Sequence, residues 1–299
     1  MLPTEDRESV PAVDVRDLTV RFGDVVAVRD VTFRVRLGER VGLIGANGSG
    51  KSTLLRTLAG ARRRYEGTVR IQGLRGRSVS AKAHTGFLPE QTEGFADLTI
   101  ESLVRLSANA HNMDKRESQK ATQKILNELR LDEWSSTRLR ELSRGLRQRA
   151  VLAQCLVHRP SVLLLDEPSA NLDMASREIL RHKMQNPDRL GQTLVVSSHD
   201  WYDLAQYATR FLFMRDGVIH HLEKLAVRRG YELLEFGDPG KLVQVLGAAG
   251  YETELKGHVI RVFGAESQER LLSDLGLDLS NPGLLIRPYI DISPGKRGP

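Results

Sequence analysis

Between Val13 and Val35 apolar and polar residues alternate, first in VDVRDLTVRF and then in VVAVRDVTFRV. A period of two predicts two half-buried strands, and Gly23-Asp24 between them predicts an antiparallel turn. The short apolar run ERVGLI follows and ends at Gly45. From Lys51 the spacing becomes helical, with Leu54, Leu55 and Leu58 on one face and Gly60 as the stop. EGTVRIQ at 66–72 returns to strand. From about Leu98 to His158 three segments, LTIESLVRLSANA, SQKATQKILNELR and GLRQRAVLAQCLVH, carry helical periodicity. SVLLLD and QTLVVSSH are then apolar on both faces, as parallel strands covered by helices are. This order predicts a doubly wound α/β core that begins with an antiparallel β subdomain and is interrupted by a helical insertion at about 95–158.

After the hairpin pattern RFLFMRDGVIHHL the character changes. DPGKLVQVLGAAG predicts a helix, YETELKGHVIRVFG a hairpin turning at Lys256-Gly257, SQERLLSDLGL a second helix, and ISPGKRGP a frayed end. The expected organisation is a flexible leader at 1–12, a main domain at 13–225 and a small α+β accessory unit at 226–299.

Composition narrows this picture without choosing a function. At 299 residues the chain can hold one large domain or two. With 40% hydrophobic and 27% charged residues it buries a core, which excludes a disordered chain. No apolar run approaches the ~20 residues that cross a bilayer. The start, MLPTEDRESVPAVD, has acidic residues and prolines but no apolar stretch, so it reads as a loose leader of a cytoplasmic protein. The single cysteine, Cys155, forms no internal disulfide, and its apolar neighbours predict a buried structural thiol. A net charge of +6 suits nucleic acid, an anionic membrane face or nucleotide alike.

The chemistry is concentrated in a few segments. GANGSGKST, from Gly45 through Asn47, Gly48, Ser49, Gly50, Lys51 and Ser52 to Thr53, fits G-x-x-x-x-G-K-[ST] between a predicted strand and a predicted helix. Glycines let successive N–H groups turn inward on a phosphate, and the helix adds its positive end. Lys51 then reaches the β- and γ-phosphates of a nucleotide and the Ser52 hydroxyl holds Mg²⁺. Asp166 and Glu167 end the apolar strand SVLLLD at the same sheet edge, placing Asp166 as a Mg²⁺ partner and Glu167 as the group that orients or deprotonates a water. His199 ends the next strand and faces the γ-phosphate by the same geometry.

A second cationic segment, ELSRGLRQR at 141–149, predicts a helix capped by Ser143 with Leu146, Ala150, Ala153 and Val157 on one face. Arg144 and Arg147 crowd its positive end, which a docked anion would relieve.

Leu142-Ser143-Arg144-Gly145 with Gln148-Arg149 resembles the signature of ATP-binding cassette (ABC) ATPases. The Gly45–Ser52 loop, LLLDEP, SANLD and His199 follow that family's order and spacing over roughly residues 13 to 222. The resemblance implies a P-loop NTPase core of ABC type, and two cassettes packed head to tail with each ATP between one cradle and the other copy's Ser143 and Gly145. It further implies that Phe22 stacks on adenine, that Gln91 senses Mg²⁺ and the attacking water, and that Asp173 touches the partner's cradle. The commonest signature has glycine at the position of Arg144 and glutamine at that of Leu146. The form here is similar to that of exporter ATPases for drugs, antibiotics or polysaccharides, whose membrane subunits are separate chains.

The expected function is therefore ATP hydrolysis by a nucleotide-binding subunit, a homodimer or a dimer with a paralogous ABC subunit. It drives a separate transmembrane permease from the cytoplasmic face of the membrane. The alternative is a soluble ABC ATPase acting on ribosome or nucleic acid, with arginines 62, 63, 64, 70, 75 and 77 as its contact surface. Such factors usually carry two cassettes or long coiled arms, which this chain lacks, so nucleic acid is not the expected partner.

Overall fold

The alternating residues of Val13–Phe22 (β1) and Val25–Val35 (β2) pair antiparallel across the predicted Gly23-Asp24 turn, burying Val13, Val15, Leu18 and Val20 from one strand and Val28, Val31, Phe33 and Val35 from the other. The computed structural model describes residues 10–90, 94–170, 172–185, 191–199, 204, 207–221, 225–235, 239–256, 259–263, 270–271 and 284–294. They divide into two units, Met1–His220 and His221–Pro299.

In the first unit Glu66–Ile71 (β4) and Leu74–Arg75 (β5) complete an antiparallel sheet of order β2-β1-β4-β5. A second sheet contains Arg40–Ile44 (β3), Thr85–Leu88 (β6), Val162–Asp166 (β7), Thr193–Ser198 (β8), Arg210–Arg215 (β9) and Val218–His221 (β10), in the order β10-β9-β3-β8-β7-β6. Its strands from β9 to β6 run parallel, and β7 and β8 are buried along their whole length. Lys51–Leu58 (α1) lies between the two sheets. Its Leu54, Leu55 and Leu58 join one core with residues of β1, β2 and β4 on one side and of β3, β7, β8 and β9 on the other. Each fully buried leucine there stabilises the fold by roughly 1.5–3 kcal/mol, which fixes the helix that starts at the glycine loop.

The helical insertion holds Ile100–Ala110 (α3), capped by Thr99, Lys115–Glu128 (α4), with a capping box of Asp114 and Glu117, and Arg144–Leu156 (α5). Between the sheets and this insertion the short Val79–Ala83 (α2) precedes β6, and Met174–Gln185 (α6) follows β7. Neither α6 nor β6 is visible as a pattern in the sequence.

Where the insertion meets β6, His158 stacks on His111 with ring centroids 3.6 Å apart and an interplanar angle of 11°. Burial, and then the neighbouring His111, push the His158 pKa down to about 4 from 6.5, although the Thr85 carbonyl pulls it up. The unfolded chain therefore binds a proton that the folded chain refuses between those values. This contribution is intact above pH 6.5 and lost as pH falls towards 4. Going from pH 7.5 to 5 is expected to remove about 2 kcal/mol through this group. Urea unfolding of His158→Gln should show a pH dependence flatter by that amount; superimposable profiles would refute the assignment.

The second unit runs Leu225–Glu235 (β11), Pro239–Ala248 (α7), Glu252–Lys256 (β12), Val259–Phe263 (β13), helical residues at Arg270–Leu271 and Leu284–Pro294 (β14). All pairs in its sheet, of order β12-β13-β11-β14, are antiparallel. Taken with the helices this is the strand order of a split β-α-β, ferredoxin-like unit. Leu233, Leu242, Leu246, Ile260, Val262 and Leu271 form its core. The predicted helix and hairpin are present as α7 and the pair β12–β13. The expected frayed end from Ile292 is corrected: β14 continues to Pro294, paired with β11 along its length. Residues 295–299, and the Gly257 turn, lie outside the described residues.

Candidate functional site

The loop between β3 and α1 is shaped by what lies against it. A Cβ on Gly45 would meet the Met214 carbonyl oxygen at 2.2 Å, and one on Gly50, at φ +107, would meet that of Ala27 at 2.3 Å. Both positions therefore require glycine, whereas Gly48, at φ +80, faces open space. Leu54 N–H returns to the Gly50 carbonyl at 2.9 Å and starts α1. Asn47 and Gly48 are exposed at the loop's crest, Ser49 is buried with an unpartnered hydroxyl, and Thr53 sits in the first turn of α1.

Lys51 is buried and folds back into this cradle, its Nζ donating to the carbonyls of Gly45 at 2.7 Å and Ala46 at 3.1 Å. Glu167 balances its charge, with Oε1 at 3.5 Å. Ser52 Oγ donates to Asp166 Oδ1 at 3.1 Å, so the predicted hydroxyl and carboxylate are in contact. Asp166 is fully buried, and its Oδ2 has no partner. One orphaned carboxylate oxygen beside a hydroxyl is a hard oxygen set that fits Mg²⁺, which binds through one or two carboxylates together with substrate phosphates. Among the described residues no cluster of three or more His, Cys, Asp and Glu forms a self-contained metal site.

Glu167 occupies the left-handed region at φ 47, held by its N–H, which donates to Ser197 Oγ at 3.1 Å and to the Ser197 carbonyl at 3.2 Å. Its Oε2 lies 2.9 Å from His199 Nδ1 and accepts from Ser198 Oγ at 3.3 Å, while Oε1 accepts no hydrogen bond. A buried carboxylate with one oxygen aimed by hydrogen bonds and the other held only by the longer ion pair to Lys51 can orient a water and accept its proton. Sequence reasoning missed Ser197 and Ser198. Ser197 also donates to Asp166 Oδ1 at 2.7 Å, so this pair positions both acids. Two small polar residues closing an apolar strand, in VVSSH, were the available signal.

Ser143 caps α5 as expected, accepting from Leu146 N–H at 3.3 Å. Ala150, Ala153 and Val157 are buried, but Leu146 is only half-buried. The expectation that Arg147 stands ready for an anion is corrected. Its Nε donates to the Leu139 carbonyl at 3.1 Å and its Nη2 to that of Leu142 at 3.4 Å, because the turn before the helix leaves those carbonyls open. Arg149 is spent likewise on the carbonyls of Leu129 and Arg130, which end α4 and the turn after it. Arg144 remains exposed at the helix's positive end.

Gly145 is buried, and a Cβ there would lie 2.7 Å from Ser176 Oγ and 2.8 Å from Asp173 Oδ2. Asp173 caps α6 by accepting from the Ser176 N–H at 2.8 Å, a bond that holds its carboxyl below the usual range. The signature turn and the Asp173 turn are thus packed together. Among the described residues Ser143 makes no hydrogen bond to the Gly45–Thr53 loop. Phe22 ends β1 half-exposed rather than in the core. Gln91 lies outside the described residues. Cys155 is buried, donates to the Phe87 carbonyl and has its pKa pushed up to about 12 by burial, so it is a structural thiol.

Residues 28–170 match the family model described as ABC transporter. An uncharacterized ABC transporter ATP-binding protein of Methanocaldococcus jannaschii is 30% identical over 235 residues, covering 78% of this chain and 86% of that one. The Nod factor export ATP-binding protein I of Burkholderia orbicola is 27% identical over 265 residues, covering 84% of this chain and 86% of its own. Among solved structures, a dimeric ATP-binding cassette in a post-hydrolysis state with ADP and Pi superposes with a TM-score of 0.62 at 25% identity, covering 70% of this chain and 97% of that chain.

Proposed function

Because this chain belongs to the ABC transporter family of ATP-binding proteins and is an ATPase of that family, we propose that it is the nucleotide-binding subunit of an exporter, working on a separate transmembrane permease. The observation that carries the site assignment is the convergence of Lys51, Ser52, Asp166, Glu167 and His199 at the ends of β3, β7 and β8. The Nod factor export relatives and the form of the signature segment support export. No helix among the described residues is long and apolar enough to cross a membrane. As the ATPase part of a transporter the chain would act from the cytoplasmic face beside its permease, a location that follows from the family and not from the missing span.

In this reading the cradle amides and Lys51 bind the phosphates of ATP, and Phe22 carries the base. Ser52 and Asp166, with Gln91, would hold Mg²⁺, which would neutralise charge on the phosphate oxygens. Glu167 accepts the proton of the attacking water, and His199 and Ser198 hold its carboxylate in place. Ser143 and Gly145 finish the nucleotide held by the opposite subunit, an identical copy or a paralogue, and Asp173 adjoins that subunit's cradle. Two copies close on ATP and reopen after hydrolysis, and the permease takes up that motion.

Co-expression with a candidate permease should yield a complex whose ATPase rate per chain exceeds that of the isolated chain. The isolated chain should lose activity per molecule on dilution. A monomer equally active at every dilution would refute the shared site.

A further inference from the structure

The outer face of α1 presents Thr53 and Arg56 one turn apart, and the loop beyond it brings Ala61, Arg62, Arg63 and Arg64 round to Phe22, so that these residues line one groove. Thr53 directly follows Ser52, so the groove leads away from the phosphate cradle. Phe22 is 50% exposed, and the Arg62 guanidinium lies 3.7 Å from its ring centroid while Nη2 donates to the Arg21 carbonyl at 2.6 Å. Arg77 pins the same loop, donating to the Arg63 carbonyl at 2.7 Å and lying 4.7 Å over the Tyr65 ring. Arg62 lies over one face of the ring, so a base stacking on Phe22 takes the other face or displaces this guanidinium, whereas Arg56, Arg63 and Arg64 are exposed at the rim.

The rim has a one-sided chemistry. Apart from the Thr53 hydroxyl, every polar side chain in the lining is a guanidinium, which donates hydrogen bonds and accepts none. Guanine offers two acceptors, O6 and N7, that match a guanidinium fork, whereas adenine offers one acceptor beside an amino donor that would face the N–H groups. Attraction to the phosphates is common to both nucleotides and cancels in their ratio. We propose that this site takes guanine nucleotides at least as readily as adenine nucleotides, with Arg56, Arg63 and Arg64 supplying the fork that reads O6 and N7. The inference rests on the reading of Phe22 as the base platform.

Calorimetric titration of the full-length Glu167→Gln chain with Mg²⁺ and ATP, GTP, ITP or 7-deaza-GTP tests it. GTP and ITP, which share O6 and N7, are expected to bind at least as tightly as ATP, and 7-deaza-GTP more weakly than GTP. The triple variant Arg56→Ala, Arg63→Ala, Arg64→Ala should shift the GTP-to-ATP affinity ratio about tenfold towards ATP, the weight of a good bidentate pair. A tenfold preference for ATP in the parent chain, or a ratio unmoved by the triple variant, overturns the inference alone, provided that ATP binding still depends on Lys51 and Phe22. ATP affinity indifferent to Phe22→Ala would instead remove the platform itself, and with it the inference.

Discussion

Glu167→Gln is expected to lower steady-state ATP turnover by roughly 10²–10⁴, the usual weight of a positioned general base, while leaving nucleotide affinity within a few-fold of the parent. The reason lies in how the side chain is held. Its Oε2 is engaged by His199 and Ser198, its backbone is fixed by Ser197, and only Oε1 is without a hydrogen bond. Glutamine keeps the volume and one acceptor, so the loop is not expected to move, but an amide cannot take up the water's proton. The Lys51 ammonium keeps its bonds to the Gly45 and Ala46 carbonyls in the variant, which is why binding should survive. Turnover measured by phosphate release, beside ATP affinity from equilibrium titration, separates the two effects. Undiminished turnover would take the general-base role from Glu167 and assign it elsewhere.

The parts of the site legible in the sequence are those where local chain chemistry is unusual on its own. Gly45, Gly50 and Lys51 sit in a spacing that has one well-understood use, and Asp166-Glu167 follows four apolar residues where a carboxylate pair has no packing purpose. What could not be read depends on partners distant in sequence. The charge of Arg147 was plain, but its destination was decided by carbonyls of Leu139 and Leu142 left open by the preceding turn. α6 escaped notice because its buried face is Ser176, Leu180, Lys183 and Met184, with Lys183 paired to Glu128 on α4. A lysine and a serine on the inner face erase the apolar periodicity. β6 is four residues with a glycine in the middle, and becomes a strand only because β7 pairs beside it. β14 contains Pro288, which argues against a central strand but is compatible with the sheet-edge position it occupies.

Gly50→Val should reduce nucleotide affinity by at least about a hundredfold, the loss of two charge-assisted phosphate contacts at about 1.5 kcal/mol each. Two separate penalties meet at this residue. A β-branched side chain is strained at φ +107, and its Cβ would stand 2.3 Å from the Ala27 carbonyl oxygen, a backbone atom of β2 that cannot rotate away. The loop must then unwind at the point where Leu54 N–H hooks onto the Gly50 carbonyl to begin α1, so Lys51 and Ser52 lose their bearing together. Gly48→Ala provides the comparison. At φ +80 it also carries the left-handed cost of about 1–2 kcal/mol, but its Cβ would meet nothing within 4 Å. It should therefore bind nucleotide with a loss of tenfold or less. Near-UV circular dichroism of both variants checks that β2 and the core remain packed. If folded Gly50→Val bound ATP as well as Gly48→Ala, the close approach of the loop to Ala27 would not be what shapes the cradle.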